Sequence, residues 1–463
     1  RSMGAVQYRL RRRWARLATP FLMLAASACA RPPVDSRADG SWSYEVEAPA
    51  EGSRTVTVEA TFEGARTDRL AIGRDSAALV KDLEVRTGDG YRPVKRRGSE
   101  WIEPSCARRC TVRYHVDLGA PNATQFATGM HAASDDDAIY TFGSYDLDEG
   151  SFTAFGPMRR YRVDVPDRSG GEPSRIDVVV LGRQRYAMSD AAMKEWIGDA
   201  ARVVVPLFGR FPVERSTLFV VPAKGEDEVV FGKVLSLAGA SVVLVVGDRM
   251  PVTARRHDWV LVHELFHLGF PTFRGEGRWL GEGLATYYEP VLRARAGWTT
   301  DEEVFRQFAR NMPRGIPKRG SAGGLVQRDD LDSIYWGGAL FCFAADVRIR
   351  QETRGKHSLD DVVRAALARG GDATRVWTVA EVVRLGDEVT GTTVLSEMYE
   401  RHAARGDRID LEGLLVALGI ERTDDGGIEI DDRRPLAWVR RGIAGGRASA
   451  SASRDPGALP GPR

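Results

Sequence analysis

The sequence predicts an α+β chain in which an antiparallel β unit precedes a mixed unit of sheet and helices. Three observations carry that prediction. Apolar and polar residues alternate in twos over much of residues 41–166, the period of a strand with one buried face. Short apolar runs follow at 176–181, 217–221 and 241–246, separated by a helical stretch from about Asp190 to Val205. Beyond residue 300 the punctuation is helical. Thr300 with Glu303, Ser358 with Asp361 and Thr378 with Glu381 are spaced as capping boxes, and Asp410 opens a last helix that Gly419 ends.

In chain order, residues 9–16 are basic and Leu17 to Ala28 are apolar. That is the pattern of a secretory leader over residues 1–30, and it is short for a transmembrane span. Small residues run directly up to Cys29, as at a bacterial lipoprotein cleavage site. Cys29 is therefore a candidate for lipid anchorage to the membrane of a bacterial cell envelope. Ala28-Cys29-Ala30 also reads as an ordinary A-x-A cleavage site, which would release the chain. Residues 31–40, with two prolines, read as a tether.

The β domain is expected over 41–166. Val56, Val58, Ala60 and Phe62 share one face, with Thr57, Glu59 and Thr61 opposite; Cys110, Val112, Tyr114, Val116 and Leu118 repeat the pattern. Cys106 and Cys110 flank a short loop, where an exported chain can close a disulfide; a zinc knuckle is the competing reading. Asn122-Ala123-Thr124 fits a glycosylation acceptor, and Asp135-Asp136-Asp137 reads as a solvated turn. The mixed unit is expected over 173–435. Within it, Thr253 to Val262 reads as helix, Asn311 to Gly324 as either a substrate-facing loop or a surface connection, and Cys342 as a buried thiol. Residues 442–463, rich in Gly, Ala, Ser and Pro, read as a disordered tail.

With 66 Lys and Arg against 64 Asp and Glu, the net charge is only +2, and no basic stripe carries interleaved aromatics. Nucleic acid is not an indicated partner.

The chemistry concentrates in His263-Glu264-Leu265-Phe266-His267 and in Glu282 of Trp279-Leu280-Gly281-Glu282-Gly283. Residues four apart share a helix face, so His263 and His267 can converge on one ion. Glu264 is placed to reach a water bound there. Three protein ligands leave a zinc position open, and its water ionises near neutral pH. Gly269 and Pro271 end the helix that carries the motif.

His263-Glu264-x-x-His267 followed by Trp279-Leu280-Gly281-Glu282-Gly283-Leu284-Ala285-Thr286-Tyr287-Tyr288-Glu289 resembles the gluzincin peptidases. Within them it is similar to the aminopeptidase N and glycyl aminopeptidase families. The resemblance implies a thermolysin-like catalytic domain and one Zn²⁺ per chain, held by His263, His267 and Glu282, with Glu264 as general base. Tyr335-Trp336-Gly337-Gly338-Ala339 is similar to the Y-x-K-G-A-type helix of these families, which makes Tyr335 the candidate for stabilising the tetrahedral intermediate. Asp258, Thr286 and Glu289 are candidates for orienting the histidines.

The sequence departs from those families in three places. Gly337 stands where their lysine would be. The interval from His267 to Glu282 is shorter than theirs, which demands a tight connection. The Gly-rich stretch that in aminopeptidases carries a glutamate for the substrate's amino group corresponds here to Phe231 to Ala240, which contains no acid. Glu226, Asp227 and Glu228 lie just upstream as substitutes. The reading that follows is a zinc metallopeptidase acting on peptides or proteins, with aminopeptidase specificity less well supported than peptide hydrolysis. The alternatives are a zinc hydrolase of a non-peptide amide or ester, and an inactive envelope scaffold.

Overall fold

The computed structural model describes residues 39–445 except 48–52, 54, 66–68, 72–79, 99, 118–129, 133–137, 146–147, 156, 168–169, 183–184, 236–238, 274 and 318–322. The expected leader with Cys29, tether residues 31–38, Asn122, Asp135 to Asp137 and residues 446–463 lie outside the described residues.

The alternation near the N-terminus makes an antiparallel sheet. Its strands β1 (Asp39–Glu47), β2 (Thr55–Ala65), β3 (Val80–Thr87), β4 (Gly90–Pro93) and β5 (Arg109–Asp117) lie in the order β1-β2-β5-β3-β4. In the central pairing Val58 faces Tyr114, Ala60 faces Val112 and Phe62 faces Cys110. All six are buried in one small core with Val56, Val85 and Val116. Cys106 and Cys110 form a disulfide beside it. The first strand begins at Asp39, two residues inside the expected tether, because Asp39 pairs with Ala65.

A second, mixed sheet contains β6 (Met158–Val165), β7 (Ser174–Leu181), β8 (Arg215–Ala223), β9 (Val229–Leu235) and β10 (Ser241–Gly247), in the order β6-β7-β8-β10-β9. The inner pairs are parallel; β6 and β9 add antiparallel edges. This corrects the boundary expected at 166. Residues 158–165 alternate like the strands before them, but β6 pairs with β7 and buries Val163 and Val165 in the larger core. The alternation identifies a strand without identifying its partner.

Helix α1 (Asp190–Phe208) covers one face of that sheet with Met193, Trp196, Ile197 and Ala200. Ser189 caps it, and Gly209, at φ 85°, ends it. Helices α2 (Val260–His267), α3 (Arg278–Arg295), α4 (Asp301–Asn311), α5 (Gly338–Glu352), α6 (Leu359–Ala368), α7 (Val379–Thr390), α8 (Leu411–Leu418) and α9 (Ala437–Gly445) complete the helical part. The capping box at Thr378 forms in full, and at Ser358 the Asp361 carboxylate accepts from the Ser358 N–H at 2.9 Å. At Thr300 the hydroxyl accepts from the Glu303 N–H, while the Glu303 carboxylate turns to Arg306.

Two further expectations change. Thr253 to Val262 is not continuous helix: residues 252–256 make a 3₁₀ turn, and α2 starts afresh at Val260. The cause is Asp258, whose carboxylate accepts from the Val260 and Leu261 N–H groups at 3.0 and 3.1 Å and supplies a new helix start. At the other end, α9 carries the larger core beyond residue 435 and runs four residues into the stretch expected to be disordered. Val439, Ile443 and Ala444 are buried there, and Arg295 Nε donates to the Ile443 carbonyl at 2.9 Å. Apolar residues at helical spacing outweigh the Gly and Ala around them.

Candidate metal centre and active site

His263 and His267 leave α2 from one face, one turn apart. Glu282 comes from the first turns of α3, reached through a connection that is as tight as the short interval requires. Gly269 lies flat on the Phe208 ring, where a Cβ would clash. Thr272–Phe273 then pairs in parallel with Val376–Trp377, and a 3₁₀ turn at Gly275–Gly277 leads into α3.

The three side chains converge. The two Nε2 atoms are 3.2 Å apart, and Glu282 Oε2 is 3.3 Å from His263 Nε2 and 3.4 Å from His267 Nε2. Donors held about 2.0–2.1 Å from a tetrahedral zinc stand roughly 3.3–3.4 Å from one another. The triangle therefore has the size a zinc ion needs. Two ring nitrogens and a carboxylate oxygen aimed at one point call for a shared cation, and the donor set of two imidazoles and one carboxylate suits Zn²⁺. These are the only residues among those described that group in this way.

Glu264 is 7 % exposed and lies against β9. Gly232 makes that approach possible: a Cβ there would stand 2.6 Å from Glu264 Cγ and 2.9 Å from Oε1. Burial, with the negative charge of Glu282 adding to it, pushes the Glu264 carboxyl up to about 7. Burial also opposes charge on Glu282, yet hydrogen bonds with His263 and His267 hold that carboxyl well below the usual range. Two carboxyls a few residues apart in space are thus set for different work.

Tyr335 is brought in by a close helix crossing. A Cβ on Gly283 would meet the Gly338 backbone, and one on Gly338 would meet the Trp279 carbonyl oxygen. Side chains are excluded at that crossing, so the chain just before Gly338 reaches the metal triangle. There Ser333–Gly337 forms a π-helical turn, a local widening common at functional sites. The Tyr335 ring lies 6.2 Å from the His263 ring, centroid to centroid. Burial and the charge of Glu282 raise its pKa far above 10, so the phenol keeps its proton, and Arg278 donates a hydrogen bond to its oxygen. Gly337 has a packing reason as well. A Cβ on Gly315 would run into the Gly337 backbone nitrogen, and a Cβ on Gly337 would stand 2.8 Å from Leu325 Cδ2. The start of the Asn311 to Gly324 stretch is therefore a support beneath the π-turn.

Of the three expected orienting residues, two are engaged elsewhere and none bonds a histidine among the described residues. Asp258 caps α2. Glu289 is fully buried and accepts from Arg293 at 2.8 Å. Among the described residues Thr286 Oγ1 has no hydrogen-bond partner, and neither does the buried His263 Nδ1. Glu226 to Glu228 fall in the turn between β8 and β9. The charged side chain that β9 does bring is Lys233, which acts on Glu264 and Glu282 together with Arg278. Neither cation was singled out by the motif. Lys233 lies inside the Gly-rich stretch, whereas Arg278 reaches Tyr335 only through a contact between separate helices.

No protein-family model matches the sequence, and no curated protein matches it. Solved structures do. An aminopeptidase N family protein from Idiomarina loihiensis aligns with a TM-score of 0.60 at 13% identity, over 85% of this chain and 82% of that one. A mutant zinc metallopeptidase from Deinococcus radiodurans, bound to a Tyr-Ser-Ala substrate, aligns with a TM-score of 0.52 at 13% identity, over 81% and 96%. A zinc metallopeptidase from Deinococcus radiodurans without the mutation gives 0.50 at 14%, over 79% and 93%. The chain shares their fold. The resemblance in the motifs thus extends to a two-part architecture of antiparallel sheet followed by mixed and helical parts.

Proposed function

We propose that the chain is a zinc-dependent metallopeptidase that hydrolyses peptide bonds at the His263, His267 and Glu282 centre. The observation that carries this reading is the 3.2 to 3.4 Å triangle of ligand atoms with a buried glutamate beside it. Structural zinc usually closes its fourth position and needs no neighbouring base. One zinc bound here would polarise the scissile carbonyl and acidify a water. Glu264, buried beside that position, accepts the proton of the attacking water and returns it to the leaving amine. Tyr335 O–H donates to the oxygen on which negative charge develops, polarised by Arg278 behind it.

Export is part of the same proposal. The basic and apolar N-terminal stretch and the Cys106–Cys110 disulfide both fit an oxidising compartment of the envelope, with Cys29 as the lipid attachment point. Among the described residues no helix is long and apolar enough to cross a membrane.

The test pairs zinc content with turnover of a mixed peptide library, for wild type and Glu264→Gln. About one zinc per chain in both, with cleavage lost about 10³-fold in the variant, is the expected outcome. Zinc in both and cleavage in neither would direct attention to a non-peptide amide or ester, or to a scaffold.

A further inference from the structure

Tyr335 stands inside a turn that departs from α geometry. The Gly338 N–H donates to the Ser333 carbonyl five residues back, the π spacing, whereas an α turn bonds four back. Closing the turn to α spacing would rotate the residues ahead of Gly338 by about 100°, one residue's step around a helix. That rotation would take the Tyr335 ring off His263. Wide turns of this kind are rare in helices, so groups outside the turn must hold it open.

One set of holding groups is local. Ser333 is 2 % exposed. Its N–H donates to Asp330 Oδ1 at 2.9 Å, its Oγ accepts from Arg328 Nη1 at 2.9 Å, and its carbonyl takes the Gly338 N–H. A second set arrives from a separate element. Met312–Gly315 forms a 3₁₀ turn after α4, anchored by the fully buried Met312. From it Arg314 Nη2 donates to Asp332 Oδ1 at 2.6 Å, on the residue directly before the π-turn. The next residue, Gly315, lies against the far end of the same turn, where a Cβ would stand 2.4 Å from the Trp336 carbonyl carbon. Two consecutive residues thus grip both ends of the turn that carries Tyr335. The Arg314 and Asp332 side chains are 29 % and 24 % exposed, so solvent screens their attraction only in part.

We infer that the Arg314–Asp332 ion pair is a positioning device for Tyr335: it holds the π-turn open so that the phenol stays beside the metal triangle. The inference rests on the role proposed for Tyr335 in turnover, whereas the hold on the turn can be read without any turnover.

The test compares wild type, Arg314→Met, Arg314→Lys, Asp332→Asn, Tyr335→Phe and the double variant Arg314→Met with Tyr335→Phe, all as the full chain loaded with zinc. Turnover of one cleaved peptide, zinc content and amide hydrogen exchange are followed for each. Arg314→Met should keep about one zinc per chain, lower kcat at least about tenfold and leave KM within a factor of about two. Arg314→Lys, which can still bring one N–H to Asp332, should recover most of that loss. Asp332→Asn reads the pair from its other side and should lower kcat in the same sense. In the Tyr335→Phe background Arg314→Met should cost nothing further, because the hydroxyl it positions is gone. Losses that multiply in the double variant, an unchanged kcat in Arg314→Met, or a KM that rises as much as kcat falls would each overturn the inference. Exchange separates this result from the fate of the peptidase reading. In Arg314→Met the amides of Ser333–Gly337 should exchange faster while those of Val260–His267 keep their wild-type rates, and unchanged exchange in the turn would overturn the hold. If wild type cleaves no peptide, the metallopeptidase reading falls, and faster exchange confined to the turn would still uphold the ion pair as its brace.

Discussion

Tyr335 owes its proposed role to two neighbours of opposite charge. Burial and the charge of Glu282 keep its proton on, and Arg278 draws electron density from its oxygen, which makes the phenol a strong donor that does not ionise near neutral pH. Removing the hydroxyl in Tyr335→Phe leaves the ring on His263 in place, so ground-state binding should hardly change. The expected signature is a kcat lower by about 10²–10³-fold with KM within a factor of about two. A matching rise in KM would instead assign Tyr335 to substrate binding. Residues of this kind were legible in the sequence when their chemistry depends on spacing along one helix: His263, Glu264 and His267 need only the helical repeat, and Glu282 needs only a second helix to return. Residues whose contacts are made between elements were not. Asp258 and Glu289 carry the right atoms to orient a histidine, but Asp258 found backbone N–H groups and Glu289 found Arg293 first. Nothing in the local pattern around Arg278 points to Tyr335.

The elements that hold these residues are governed by glycines and caps. The crossing of α3 and α5 requires both Gly283 and Gly338 to lack a side chain. In Gly338→Ala the added methyl meets the Trp279 carbonyl, a backbone atom that cannot rotate away. Overpacking of this kind costs about 1–3 kcal/mol, and it pushes the π-turn off the metal triangle. Chemical denaturation should show that loss together with reduced turnover. Gly281→Ala is the control, because its methyl would meet only the edge of the Phe273 ring at 3.3 Å, and it should be close to neutral. The start of α2 gives a prediction in pH. Burial raises the Asp258 carboxyl from 3.8 to about 6. Between those values the folded chain keeps a proton that the unfolded chain releases, so this contribution to stability is whole below pH 4 and is lost as pH rises through 6. Asp258→Asn removes the titration and keeps one of the two accepting oxygens. In metal-free protein, wild type should lose on the order of 2 kcal/mol relative to the variant between pH 4 and pH 7. A constant difference across that range would show that Asp258 does not titrate there. The same carboxylate explains why a helix read from 253 begins at 260: the sequence contains an aspartate at a cap position, but helical apolar spacing on both sides hides the break.

Among the described residues there are two large buried cores and a smaller apolar cluster on the second face of the mixed sheet, and the candidate chemistry belongs to one of the large cores. Val56, Phe62, Val112 and Tyr114 close the small core of the first sheet, whereas α1 to α9 and one face of the mixed sheet share the large one. Which core a strand joins was the part of the architecture least legible in the sequence, as β6 illustrates, because alternation reports a buried face and not what buries it. The division has a measurable consequence. A metal that binds only the folded chain stabilises it by mass action, and that effect should be confined to the elements it ties together. Chelation of zinc should therefore raise amide hydrogen exchange in Val260–His267, Arg278–Arg295 and Ser333–Gly337, and leave Thr55–Ala65 and Arg109–Asp117 unchanged. Reduction of the Cys106–Cys110 bond should do the reverse. Closing so short a loop stabilises by about 2 kcal/mol at most, all of it within the small core, so exchange should rise in Arg109–Asp117 while zinc content stays constant. If chelation loosened both cores equally, the two would form one cooperative unit, and the metal would then hold the entire chain rather than the site alone.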